Sequence, residues 1–156
     1  MLLVAAAIGT SVTMTATEHV DVWLVISGTA GWSFVPFLQL GTGLVLVRGA
    51  PIPLTNALDR YFATGWPWSL WILTAHAALL MIPWLRGYAF VLLLTVVVPI
   101  WLTSRLLIDV CRRDFGMPHR AAIRRVIGHQ ALTYALVVVY VQLSVALWPR
   151  IVGVLW

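Results

Sequence analysis

The chain of 156 residues is 62% hydrophobic and 10% charged, with a mean hydropathy of +0.96, far outside the soluble range, so lipid is the expected solvent for most of it. All ten basic residues are arginine against five acidic ones, a formal net charge of +5; they flank apolar runs and read as topology signals and headgroup contacts, so nucleic acid is not an expected partner. The single cysteine, Cys111, excludes an intrachain disulfide and any site needing two thiolates from one chain.

Residues 1 to 17 are apolar enough to enter a bilayer but slightly short of the ~20 residues of a full span. A signal peptide fits them poorly, because no positive charge precedes the apolar run. Gly9 and Thr13 form a small-residue pair suited to close helix packing. After the polar break at Glu18, His19 and Asp21, residues 22 to 47 run uncharged to Arg48 and form a second span. Pro36 is expected to kink it and free the carbonyl of Trp32, with Gln39 about a turn beyond.

Residues 48 to 65 connect the spans. Pro51 and Pro53 stiffen the start, and Thr55 is expected to cap a short in-plane helix with Leu58, Tyr61 and Phe62 on its apolar side and Asp59 and Arg60 on the other. The third span, 66 to 85, carries tryptophans at both ends as headgroup anchors and His76 near its middle. Arg86 and Gly87 turn into a fourth span, 88 to 108, where Pro99 is expected to free the carbonyl of Thr95.

The segment from Arg105 to Arg125 holds six arginines, and Arg48 and Arg60 lie in the earlier connection; Arg86 and Arg150 lie on the opposite side. The positive-inside rule therefore places both long loops in the cytoplasm of a plasma (inner) membrane, with the amino terminus inside and the carboxyl terminus outside. Arg112, Arg113, Arg120, Arg124 and Arg125 are the candidates for anionic lipid. The fifth span, 127 to 147, sets His129, Thr133, Tyr140 and Ser144 on one helical face, which should meet protein or water. The apolar end after Trp148, Pro149 and Arg150 reads as an outer-interface segment.

Chemistry-bearing constellations are sparse. A b-type haem needs imidazoles at one depth, yet His76 lies about ten residues into its span and His129 about two into its own, a height difference on the order of 10 Å. Haem therefore requires either His76 alone or two copies pairing His76. No metal site is expected, and the spans lack the internal carboxylate of an ion-coupled transporter. Ser104 or Cys111 with His119 could make a nucleophile at the cytoplasmic face, but no motif fixes their geometry.

Leu38-Gln39-Leu40-Gly41-Thr42-Gly43-Leu44, with Pro53-Leu54-Thr55 and Trp68-Ser69-Leu70 after it, resembles a group of small predicted bacterial integral membrane proteins of unknown function. The likeness covers roughly a third of the chain, which adds an apparent span. It implies a compact helical bundle and supplies no activity.

The sequence thus predicts an all-α integral membrane protein, a single bundle of five transmembrane helices (four if residues 1 to 17 do not cross) with a short interfacial helix. The expected function is a non-catalytic subunit or accessory of a larger membrane assembly, with other subunits or a second copy as partners. The alternatives are a haem-type redox protein using His76 and a small enzyme with a cytoplasmic-face site. The candidates for ligand binding or for a polar core are His76, Gln39, His129, Thr133, Tyr140 and Ser144.

Overall fold

A computed structural model describes residues 34–82 and 94–155, together with 84, 85 and 91; at 76, 79, 80, 144, 145 and 147–155 it describes the backbone alone. The expected first span, the polar break after it, the beginning of the second span with Trp32, and the Arg86–Gly87 turn lie outside these residues. Among the described residues there is no strand. The helices are α1 (Phe34–Val47), α2 (Leu54–Ala63), α3 (Trp66–Met81), α4 (Val97–Arg113) and α5 (His119–Leu155).

Neighbours in space follow from the contacts: α1 packs on α2 and α5, α4 on α5 and α3, and α2 also touches α4. Glycines end two of the helices. Gly49 (φ +76°) follows α1 and Gly116 (φ +66°) follows α4, both in the left-handed region that a side chain would strain. Beside the first of these, the Arg125 guanidinium donates to the carbonyl of Arg48, tying the start of α5 to the end of α1.

Several expected boundaries move. Helix α3 ends at Met81 after 16 residues, about 24 Å, short of the ~30 Å hydrocarbon thickness. Pro83 is the reason, since a residue before proline avoids the helical region and Ile82 sits at φ −123°, ψ 83°. The helix expected from 88 is described as α4 only from Val97, so Pro99 lies in a first turn that needs no N–H from it. The carbonyl of Thr95 is accordingly not free and accepts the Val98 N–H at 3.0 Å. Helix α5 begins at His119, not 127, because Pro118 opens it and its carbonyl accepts the N–H groups of Ala121 and Ala122 at 2.9 and 3.0 Å. Arg120, Arg124 and Arg125 are therefore helical. Thr55 does not cap α2, which starts one residue earlier behind Pro53 with no side-chain cap bond.

Among the described residues one helical stretch, His119–Leu143, is long and apolar enough to cross a membrane; Phe34–Val47 is apolar but shorter. By length and composition the described helices thus fall short of the five expected crossings.

The buried core lies at the Arg-rich end. Leu46 and Val47 of α1, Ala57 and Tyr61 of α2, and Leu107 and Cys111 of α4 meet Phe115, Ala122 and Val126 there. Each fully covered leucine contributes about 1.5–3 kcal/mol. Farther along the helices the pattern inverts, and large apolar side chains stand open: Phe37 is 75% exposed, Leu73 57%, Leu94 71% and Val138 58%.

Candidate functional site

Two of the buried polar side chains, Thr42 and His129, meet at Tyr61 of that core. Tyr61 is the hinge of the arrangement, because α2 carries its ring inward while Asn56, Asp59 and Arg60 face outward on the same helix. Its hydroxyl lies 3.3 Å from His129 Nε2 on α5 and 3.4 Å from Thr42 Oγ1 on α1. One phenol thus joins three helices.

The chain makes room for it at Gly43. A Cβ there would stand 2.6 Å from Tyr61 Cε1 and 2.8 Å from Cδ1, closer than side-chain atoms pack, so only glycine lets the ring lie against α1. The ring also meets His129 edge-on, with centroids 5.5 Å apart.

Proton positions follow from counting donors. Thr42 has one hydroxyl proton and gives it to the Leu38 carbonyl at 2.9 Å, so it accepts from Tyr61. Tyr61, its own proton spent, accepts from His129 Nε2–H. Burial pushes the Tyr61 phenol up from its ordinary range and the Thr42 bond pulls it part of the way back, so it remains a neutral donor. His129 Nδ1 is then a bare acceptor; like the Thr103 and Tyr134 hydroxyls, it is buried without a partner among the described residues. A missing partner on an acceptor is tolerated better than an orphaned N–H.

Two further cross-links set the register. Gln130 donates to Ser104 Oγ at 3.1 Å, joining α5 to α4, and Trp71 Nε1 donates to Thr95 Oγ1 at 2.7 Å, joining α3 to the turn before α4. Counting residues between these rungs along α4, and on from Trp71 to His76 along α3, places His76 about 20 Å from the level of His129. The two histidines cannot ligate one haem within a chain.

The remaining sequence candidates fall as follows. Thr133, half-buried, donates to the His129 carbonyl of its own helix at 2.9 Å. Tyr140 stacks on Phe34 of α1 with centroids 3.8 Å apart and planes within 7°. Gln39 is half-buried, and Thr42 takes the place expected for it in the polar cluster. The side chains of His76 and Ser144 lie outside the description. Arg112, Arg113, Arg120 and Arg124 are exposed, whereas Arg125 is half-buried, tied to Arg48 and near Met117 Sδ at 4.0 Å.

The nucleophile arrangement does not form. Ser104 Oγ donates to the Ile100 carbonyl at 2.7 Å, Cys111 is fully covered, and His119 is exposed at the start of α5. Its complete burial leaves the Cys111 sulfur without access to a substrate. No cluster of three or more His, Cys, Asp or Glu able to hold a metal occurs among the described residues.

Sequence reasoning missed Tyr61 and Gln130. Tyr61 had read as one more apolar residue of α2; the signal was the Gly41-Thr42-Gly43 run of small residues in a helix otherwise rich in large apolar side chains. Comparison with known proteins adds nothing to the geometry: no family, no curated protein and no solved structure matches the chain.

Proposed function

We propose that the chain is a polytopic bundle of the plasma (inner) membrane, Arg-rich loops in the cytoplasm, acting as a non-catalytic subunit or accessory of a larger membrane assembly. Helices α1, α3, α4 and α5 cross in this reading, residues 1 to 17 add a fifth crossing, and α2 lies in the cytoplasmic interface. The inverted exterior supports the membrane part: large apolar side chains are open along every helix assigned to lipid, while the covered core sits with the arginines. Exposed Trp66 and Trp84 flank α3 as anchors at its two ends.

One observation carries the non-catalytic part. Within the polar cluster the Tyr61 and Thr42 hydroxyls and the His129 Nε2–H are spent on one another and on the Leu38 carbonyl, and the half-buried Ser104 hydroxyl is spent on the Ile100 carbonyl. Such a network fixes helix positions. It holds no nucleophile with a base beside it.

Extraction of the native membrane in mild detergent, followed by mass measurement, tests the reading. Other chains in fixed ratio with this one are expected, or more than one copy of it. A monodisperse single chain, with nothing else recovered, would overturn it.

A further inference from the structure

A groove at the Arg-rich end has the chemistry of a ligand site, and nothing above assigns it. Asn56, Asp59 and Arg60 lie on one face of α2, at offsets of three and four residues, opposite Arg113 and Asp114 where α4 ends. Ile52 and Pro53 supply its apolar wall, and the groove, open on one side, offers about 610 Å³, a volume in the range of small-molecule sites.

The charges in it are loosely held. Arg60 Nε stands 4.0 Å from Asp114 and Arg113 reaches Asp109 at 3.7 Å, both on exposed guanidiniums; neither is the short bidentate pair that uses up a carboxylate. Asp59 is exposed and in no ion pair among the described residues. Two guanidiniums and two carboxylates thus line one cavity and leave it formally neutral.

The geometry points to a site for a phospholipid headgroup that carries both a phosphate and a primary ammonium, the phosphate held by Arg60 and Arg113 and the ammonium by Asp59 and Asp114. This rests on the membrane reading above, which sets the groove at headgroup level beside the in-plane α2 and its apolar wall toward the acyl chains. The lining also says which headgroups it rejects. A trimethylammonium cannot donate to the carboxylates and prefers an aromatic cage, and none of the lining residues is aromatic. A headgroup with phosphate alone would leave Asp59 and Asp114 facing its negative charge without a counter-ion.

The test uses the full chain in vesicles of equal parts phosphatidylethanolamine, phosphatidylcholine and phosphatidylglycerol, released into mild detergent, with the retained lipids counted by mass spectrometry. Phosphatidylethanolamine should be retained about tenfold over each of the others, the size of one charge-assisted hydrogen bond. Asp59→Asn should erase that preference while total retained lipid stays the same, and Arg60→Gln with Arg113→Gln should lower retention of all three. Arg60→Lys, which keeps the charge, should restore part of it. Unchanged helical circular dichroism shows that each variant is folded, and Asp59, exposed on α2, can be replaced without touching the core. Equal retention of the three lipids, preference for phosphatidylglycerol, or a preference that survives Asp59→Asn overturns the site alone. A chain that does not enter the vesicles overturns the membrane reading and the site together.

Discussion

Gly43→Ala probes the contact on which the polar cluster depends. The new methyl would lie 2.6 Å from Tyr61 Cε1 and 3.2 Å from Cζ, and the ring has nowhere to go: it is 8% exposed and its hydroxyl is held by Thr42 and His129. Overpacking of this kind costs about 1–3 kcal/mol. Replacing a helical glycine with alanine returns about 0.5–1 kcal/mol, so a net loss of up to about 2.5 kcal/mol, centred on ~1 kcal/mol, remains. At about 2–4 °C per kcal/mol for a chain of this size, thermal unfolding in detergent should fall by a few degrees. Gly41→Ala is the internal control, two residues away on the same helix, where a Cβ meets nothing within 4 Å; it should raise the midpoint. In a Tyr61→Ala background the clash is gone, and Gly43→Ala should change sign. If Gly43→Ala and Gly41→Ala shift the midpoint alike, the ring does not lie where it is described.

Tyr61→Phe keeps the ring but leaves the His129 Nε2–H without its acceptor, and a loss of about 1–3 kcal/mol is expected in the same melt; an unchanged midpoint would contradict the donor chain. Arg125→Ala should cost about 1–2 kcal/mol by releasing the Arg48 carbonyl, while exposed Arg124→Ala should cost less than about 0.5 kcal/mol. Cys111, the one thiol of the chain, should resist maleimide in the folded protein and react once denatured; prompt labelling of the native chain would refute its burial. The subunit reading also expects no Soret band from the purified chain, and a Soret band would return the haem alternative to the front.

Some of this architecture is legible in the sequence. The spacing of Leu58, Tyr61 and Phe62 gives α2 and its outward Asp59 and Arg60, and His129 and Tyr140 of the expected α5 stripe meet Tyr61 of α2 and Phe34 of α1. What local pattern cannot give is the partner of a buried hydroxyl. Thr42 and His129 lie 19 and 68 residues from Tyr61, and only the packing of α1 and α5 on α2 makes them neighbours. Prolines misled in a consistent way. Pro99 was set inside a span, and Pro118 falls in the Arg105–Arg125 stretch set as a loop, but the first lies in the opening turn of α4 and the second just before α5, where a fixed φ helps and a missing N–H is not needed. Charge misled at Arg120, Arg124 and Arg125, since a run of arginines reads as a loop although nothing in the residue type opposes a helix.

Sidedness of labelling tests whether the bundle threads through the membrane with its arginines in the cytoplasm. Single cysteines at Arg60, Trp84 and Arg120 in a Cys111→Ala chain, treated in intact cells with a membrane-impermeant maleimide, should give a labelled Trp84 position and protected Arg60 and Arg120 positions that react only after lysis. Labelling of all three from outside, or of none until lysis, would contradict that threading.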